Sequence, residues 1–232
     1  MKQHYFLVVV PALLGLSLFS CVSVSPVHSS FERAATLGKG NVELMGNYSH
    51  YVATGGGESA ASNNNYGARI GYGVAKNVDM KLRYEKLVPA DAEEKAMYKI
   101  NYFSVIPKVS IVEKKLSFLM PVSRYNYTEN DGGEISKDHI YSIAPQFIGT
   151  LTSAKNNADV SFSIKGDYAL YSQDQGSDFF MGFNLGAGFS KDLDKWAIRP
   201  EVGYIFKPGE GGGWWSMGIG AQLMLPTGKK SK

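Results

Sequence analysis

The stretch ADVSFSIKGDYALY, residues 158–171, alternates almost without a break. Val160, Phe162, Ile164, Tyr168 and Leu170 share one parity, with Gly166 among them, while Asp159, Ser161, Ser163, Lys165 and Asp167 share the other. A period of two is that of an extended strand. What the period leaves open is which face meets water. In a soluble sandwich the apolar face is buried and the charged face is wet. In a barrel set in a membrane the apolar face meets lipid and the charges line the inside.

The same texture recurs along the chain. Ten strand-like segments follow one another at 41–53, 66–75, 80–88, 98–111, 116–128, 139–153, 158–171, 179–190, 196–207 and 214–225. The links at 76–79, 112–115, 154–157 and 191–195 are short. Those at 54–65, 89–97, 129–138, 172–178 and 208–213 are longer and polar, and the two kinds alternate. Successive links of an antiparallel meander fall at opposite ends, so one end has tight turns and the other longer loops, as in transmembrane barrels. Most segments reach ten residues or more, beyond the soluble mode of about five or six. A strand of about ten residues tilted by about 45° covers the apolar band of such a barrel.

The faces point the same way. In 179–190, Phe179, Met181, Phe183, Leu185, Ala187 and Phe189 oppose a face that is mostly glycine, asparagine and serine. In 196–207, Trp196, Ile198, Pro200, Val202, Tyr204 and Phe206 oppose Arg199 and Glu201. Aromatic residues near strand ends (Tyr66, Tyr98, Trp196, Phe206 and Trp215) suit the girdles that such barrels place at lipid headgroups. The fold expected is an all-β, antiparallel up-and-down transmembrane β-barrel of about ten strands. The segment 116–128 is less regular, because Leu119 and Pro121 share the otherwise polar parity, and a bulge near Pro121 is expected there. Pro107, Pro145 and Pro200 also fall within strands, where losses of single ladder bonds are expected.

Composition fits this reading. Formal net charge is +3 from 24 basic and 21 acidic residues, and there is no clustered basic patch of the kind that binds nucleic acid. Residues 1–20 read as a signal peptide, with Lys2 ahead of an apolar run from Phe6 to Phe19. Residues 21–36 read as a periplasmic tether, 37–226 as the barrel and 227–232 as a short basic tail. Cys21, the only cysteine, follows Leu18-Phe19-Ser20 in a stretch resembling the lipobox of bacterial lipoproteins, which implies lipidation at Cys21.

From residue 37 to 225 the chain resembles small bacterial outer-membrane β-barrels. The opening FERAATLGKGNVELMGNYSHY (residues 31–51) is similar to the first strand of such barrels, and Gly220, Leu223 and Leu225 lie in a terminal amphipathic strand. The resemblance implies outer-membrane lipids and the barrel-assembly machinery as partners, extracellular long loops, both termini in the periplasm and a monomer.

Catalytic chemistry is not apparent. Asp138-His139 could mimic half of an outer-membrane protease site, but adjacent strand residues face oppositely and no second aspartate pair accompanies them. Ser49-His50 fails as a lipid-modifying pair for the same reason, and nothing orients Ser123 or Ser142. Four histidines and one cysteine show no metal-ligand spacing, and no cofactor is expected. The strongest feature is the set of charges assigned to the inner faces: Glu43, Arg69, Lys81, Arg83, Glu85, Lys99, Asp159, Lys165, Asp167, Arg199 and Glu201. Paired with one another, they would fill the lumen. The expected function is therefore a structural or surface-interaction barrel with a charge-filled interior. The alternatives are a narrow pore for small solutes and a lipid-tethered periplasmic ligand-binding barrel.

Overall fold

The computed structural model describes residues 26–54, 62–91, 97–131, 134–172 and 176–226. Its strands are β1 (Val42–Thr54), β2 (Ser62–Ala75), β3 (Val78–Pro89), β4 (Tyr98–Val112), β5 (Leu116–Leu119), β6 (Val122–Asp131), β7 (Glu134–Ile143), β8 (Gln146–Thr152), β9 (Ala158–Tyr171), β10 (Ser177–Phe189), β11 (Trp196–Phe206) and β12 (Gly213–Leu225). All pairings are antiparallel, and β12 pairs with β1, which closes the ring. The pairs β5/β6 and β7/β8 each continue one course across the wall, since β4 pairs with both β5 and β6, and β9 with both β7 and β8. The wall is thus a ten-stranded barrel. Following partners around it from Val42 through Tyr72, Met80 and Pro107 leads back to β1 at Thr54, a stagger of twelve residues. That stagger tilts the strands by about 40° to the barrel axis.

Proline explains the two interruptions. Pro107, Met120 and Pro145 lie side by side on neighbouring strands, and neither proline has an N–H to give the ladder. The carbonyls still accept: Met120 N–H donates to Pro107 O at 3.1 Å, Ala144 N–H to Pro121 O at 2.9 Å and Gly166 N–H to Pro145 O at 3.0 Å. The bulge expected near Pro121 does not form. The register of β5 and β6 on β7 and β8 is the same on both sides of the break, and Leu119 and Pro121 face the interior. There Leu119 packs on Ile106 and Ile148, so apolar side chains on the inner parity mark an apolar patch of lumen, not a change of phase.

The question posed by residues 158–171 is answered by burial. Val160, Phe162, Ile164, Tyr168 and Leu170 are exposed on the outside, while Asp159, Ser161, Ser163, Lys165 and Asp167 are buried in the interior. The pattern holds around the ring, with Leu44, Ile70, Leu82, Val105, Leu185, Val202 and Ile219 all outward. An exposed apolar band of this extent is stable only against lipid. This rules out the ligand carrier with an apolar interior. Aromatic pairs mark the upper part of the band: Tyr48–Tyr66 at 5.4 Å, Tyr84–Phe103 at 5.0 Å and Tyr204–Trp215 at 4.8 Å between ring centroids.

One long loop is corrected. Residues 129–131 and 134–138, expected within the loop 129–138, are paired strand, with Glu129 opposite Ser136 and Asp131 opposite Glu134. The β6–β7 hairpin overshoots its neighbours, because β9 pairs with β7 only from Ile140 onward. Both faces of the overshoot are wet, so no apolar alternation marks it in the sequence.

Candidate functional site

The interior is occupied by the chain's own N-terminal segment. Residues 26–36, expected as a tether in the periplasm, run through the lumen, and Val27 to Ala35 are buried there. Val27 packs on Leu87, Ile100, Tyr102 and Tyr125, near the long-loop ends of β3, β4 and β6. Its N–H donates to Tyr125 Oη at 2.8 Å. Ten residues on, Leu37 N–H donates to Asp79 Oδ1 at 3.0 Å, and Thr36 Oγ1 donates to the Lys76 carbonyl, both at the short-turn end. The segment therefore spans the lumen with residue 27 toward the long loops. This corrects the expectation that the chain ahead of the barrel stays on the short-turn side. Cys21 lies outside the described residues.

At the bottom the chain reverses through Gly38-Lys39-Gly40 to enter β1. Gly38 and Gly40 have φ of 77° and 82°, the left-handed region that glycine enters without penalty. The Gly38 carbonyl lies where a Cβ on Gly73 would be, so β2 needs glycine at this crossing.

Wall charges hold the segment. The Glu32 carboxylate accepts from Lys81 Nζ at 2.7 Å and lies 3.0 Å from Arg69 Nη1 and 3.1 Å from Lys108 Nζ. Glu43 receives Arg69 Nε at 2.9 Å and Lys81 Nζ at 3.1 Å, so two carboxylates share three cations. Lys108 also donates to the carbonyls of Arg33 and Ala35 at 2.6 and 2.8 Å. Higher up, Glu201 accepts from the N–H groups of Ser30 and Phe31 at 2.6 and 2.8 Å, Arg83 donates to Ser29 O at 2.6 Å and Lys165 donates to Val27 O at 2.7 Å. The segment has no ladder of its own, and its backbone is satisfied by side chains of the wall, as a buried backbone must be. Phe31 lies over the inner face of β12, where a Cβ on Gly218 or Gly220 would come within 2.8 or 3.1 Å of its atoms.

Most charges assigned to the lumen from the sequence are there. Glu43, Arg69, Lys81, Arg83, Glu85, Asp159, Lys165, Asp167, Arg199 and Glu201 are buried on the inner faces. Beside the network around Glu32, Arg199 grips Asp159 at 2.8 and 3.0 Å, Lys165 lies 3.3 Å from Asp167, and Arg83 pairs with Glu85. Lys99 is the exception: it is exposed on the outer face of β4. The inner parity of β4 is Ile100, Tyr102, Ser104, Ile106 and Lys108, apolar near the top because Val27 packs there. Both faces of β4 are thus largely apolar, and alternation could not choose between them. Asp79, Lys108, Glu32 and Arg33 are interior charges that the sequence reading does not include. The signal for the last two was a charged pair, Glu32-Arg33, directly ahead of the first strand.

A void of about 20 Å³ lies between the segment and Arg69, Arg83, Tyr102 and Lys165, enough for about one water molecule. The weighed catalytic pairs are apart. Ser49 is buried against Ser29, whereas His50 faces outward to Asn64. Ser123 bonds Tyr102 and Ser104. Ser142 is buried on the inner face, and Asp138 accepts from Ser172 and from the His139 backbone N–H. Among the described residues no group of histidine, cysteine and carboxylate side chains could hold a metal.

No family model and no curated protein matches the chain. Solved structures are similar to it at low identity. The N-terminal β-barrel domain of Pseudomonas aeruginosa OprF is 12% identical over 81% of this chain and 99% of that one, with a TM-score of 0.41. An outer-membrane channel from Pseudomonas putida F1 is 9% identical over 88% and 100%, at 0.47. The translocator domain of the autotransporter NalP from Neisseria meningitidis is 9% identical over 80% and 88%, at 0.48. The chain is a transmembrane β-barrel by architecture, and that conclusion stands on its apolar exterior and its charged interior.

Proposed function

We propose that this protein is an outer-membrane barrel of structural or surface-interaction type, closed by residues 26–37, with its long loops outside the cell and its short turns in the periplasm. The observation that carries the reading is the seated segment, with Val27 to Ala35 buried in the lumen. A solute path would need displacement of a chain held by Lys81, Glu201, Lys108 and Lys165. The separated serine and histidine side chains support a non-enzymatic role.

Planar-bilayer recording of the folded, full chain tests the closure. The intact protein is expected to be silent. A variant with residues 27–35 replaced by glycine and serine is expected to show reproducible conductance steps, with heat-modifiable gel migration as the check on folding. Steady conductance from the intact protein would replace this reading with that of a narrow pore.

A further inference from the structure

Charge on the outer face of the strands is confined to one place, among the described residues. The charged side chains on its parity, among the described residues, are Lys86, Lys99, Arg124 and Lys137, and all are cationic. They sit on β3, β4, β6 and β7, which are consecutive around the wall. None has a carboxylate partner among the described residues, whereas the interior cations Arg69, Lys81, Lys108 and Arg199 are all paired.

The register makes these four residues one patch. Three rows cross the strands at the long-loop end. Tyr84, Phe103, Arg124 and Tyr141 form the lowest row; Lys86, Asn101, Asn126 and His139 the next; and Val88, Lys99, Thr128 and Lys137 the third, with Val88 aligned by parity. With strands about 4.8 Å apart and alternate residues about 6.8 Å apart, the patch measures about 14 Å each way. Arg124 is half-buried, with its guanidinium carbon 5.6 Å from the centre of the Tyr141 ring. Tyr141 is opposite Leu170, one residue from the end of β9, which places this row at the upper edge of the apolar band.

Below Arg124 the wall is concave. An apolar hollow of about 990 Å³ runs down the outside. Gly46 and Ala68 form its floor, Leu82 and Phe103 stand on its walls, and Arg124 lies at its upper end. A Cβ on Gly46 would meet nothing within 4 Å, so the floor is open. A cationic patch rich in amide donors above an apolar channel matches an amphiphile with an anionic head and acyl chains. Isolated lysines at the membrane edge could be satisfied by water alone. An arginine sunk against tyrosine at the top of an apolar hollow calls for an anion that brings its own apolar body.

We propose that this face binds a phosphorylated lipid of the outer leaflet, with its phosphates on Lys86, Lys99, Arg124 and Lys137 and an acyl chain in the hollow. The experiment uses the full chain in detergent micelles, with lipid binding read by native mass spectrometry. The probes are bisphosphorylated lipid A and the same lipid stripped of its phosphates. The intact protein is expected to hold the phosphorylated form at least tenfold more tightly. A variant carrying Lys86→Gln, Lys99→Gln, Arg124→Gln and Lys137→Gln is expected to lose that preference while keeping heat-modifiable migration. If the fourfold variant does not fold, Arg124→Gln alone is read, with a several-fold loss expected. Equal binding of the two lipids overturns the proposal, as does a preference that survives the substitutions. So does equal affinity for a soluble phosphorylated disaccharide without chains, which would make the ligand a free anion. These outcomes do not depend on whether the lumen conducts.

Discussion

Replacing Glu32 by glutamine keeps the size of the side chain and removes its charge. The carboxylate lies 2.7 Å from Lys81, 3.0 Å from Arg69 and 3.1 Å from Lys108, and the side chain is 3% exposed. Arg69 and Lys81 keep Glu43 after the change. Lys108 keeps only carbonyl oxygens of the segment, so one ammonium is left without a carboxylate in a sealed lumen. Breaking a buried ion pair from one side costs about 3–5 kcal/mol. Because the lost contacts join the segment to the wall, the cost falls on the seated segment and not on the ladder of the barrel. At about 1.4 kcal/mol per tenfold, the ratio of closed to open lumen falls by about two to three and a half powers of ten. The assay is modification of a lumen thiol, introduced as Ser163→Cys in a Cys21→Ser background, by a water-soluble reagent. Ser163 is buried beside Asn184, which itself donates to His28 O at 2.8 Å, so its access reports on the segment. Glu32→Gln is expected to speed modification at least a hundredfold. Adding Lys108→Met is expected to recover part of the loss, since removing both partners spares the stranded charge. A rise of less than about threefold, or no recovery in the double variant, would refute the claim that this ion cluster seats the segment.

Ile164→Arg places a charge on the lipid-facing side of β9 and is expected to cost about 2–4 kcal/mol near mid-membrane, measured by urea titration in vesicles. A fluorophore at Ile164→Cys is expected to be quenched from the lipid phase, and one at Ser163→Cys is not; the reverse pattern would turn the barrel inside out. Gly220→Val is expected to push on Phe31, since even a Cβ there lies 3.1 Å from that residue, and to cost about 1–3 kcal/mol, read as faster thiol modification in the lumen. Asp192, in the turn between β10 and β11, has its carboxyl held below the ordinary 3.8, first by the Asp194 N–H and then by Lys195. A lowered folded value means its small stabilisation is present above 3.8 and is lost as pH falls through that lower value. The melting temperatures of the intact protein and of Asp192→Asn are therefore expected to differ slightly at pH 6 and to converge toward pH 2.

The barrel was legible because its signal is local. Alternation along residues 158–171 survives any tertiary arrangement, since consecutive strand residues must face oppositely. The alternation of short and longer links in turn implied an antiparallel meander. Where both faces carry apolar side chains the signal fails. Lys99 was assigned inward and points out, while Lys108, on the other parity of the same strand, points in. Residues 26–36 were the larger loss. They form no strand, so they carry no period, and a short polar segment reads as a linker when its partners are unknown. What seats it is wall chemistry far away in sequence, such as Glu201 on the Ser30 N–H and Lys165 on the Val27 carbonyl. The cationic patch was hidden for the same reason. Lys86, Lys99, Arg124 and Lys137 are scattered single charges along the chain, and only the pairing register of β3, β4, β6 and β7 brings them into neighbouring rows on adjacent strands. The sequence by itself determined the strands, the order in which they meander and the parity of most side chains, because these depend on neighbours along the chain. The plug, the cations shared between two carboxylates and the patch on the outer wall depend on register and closure, which only the tertiary structure decided.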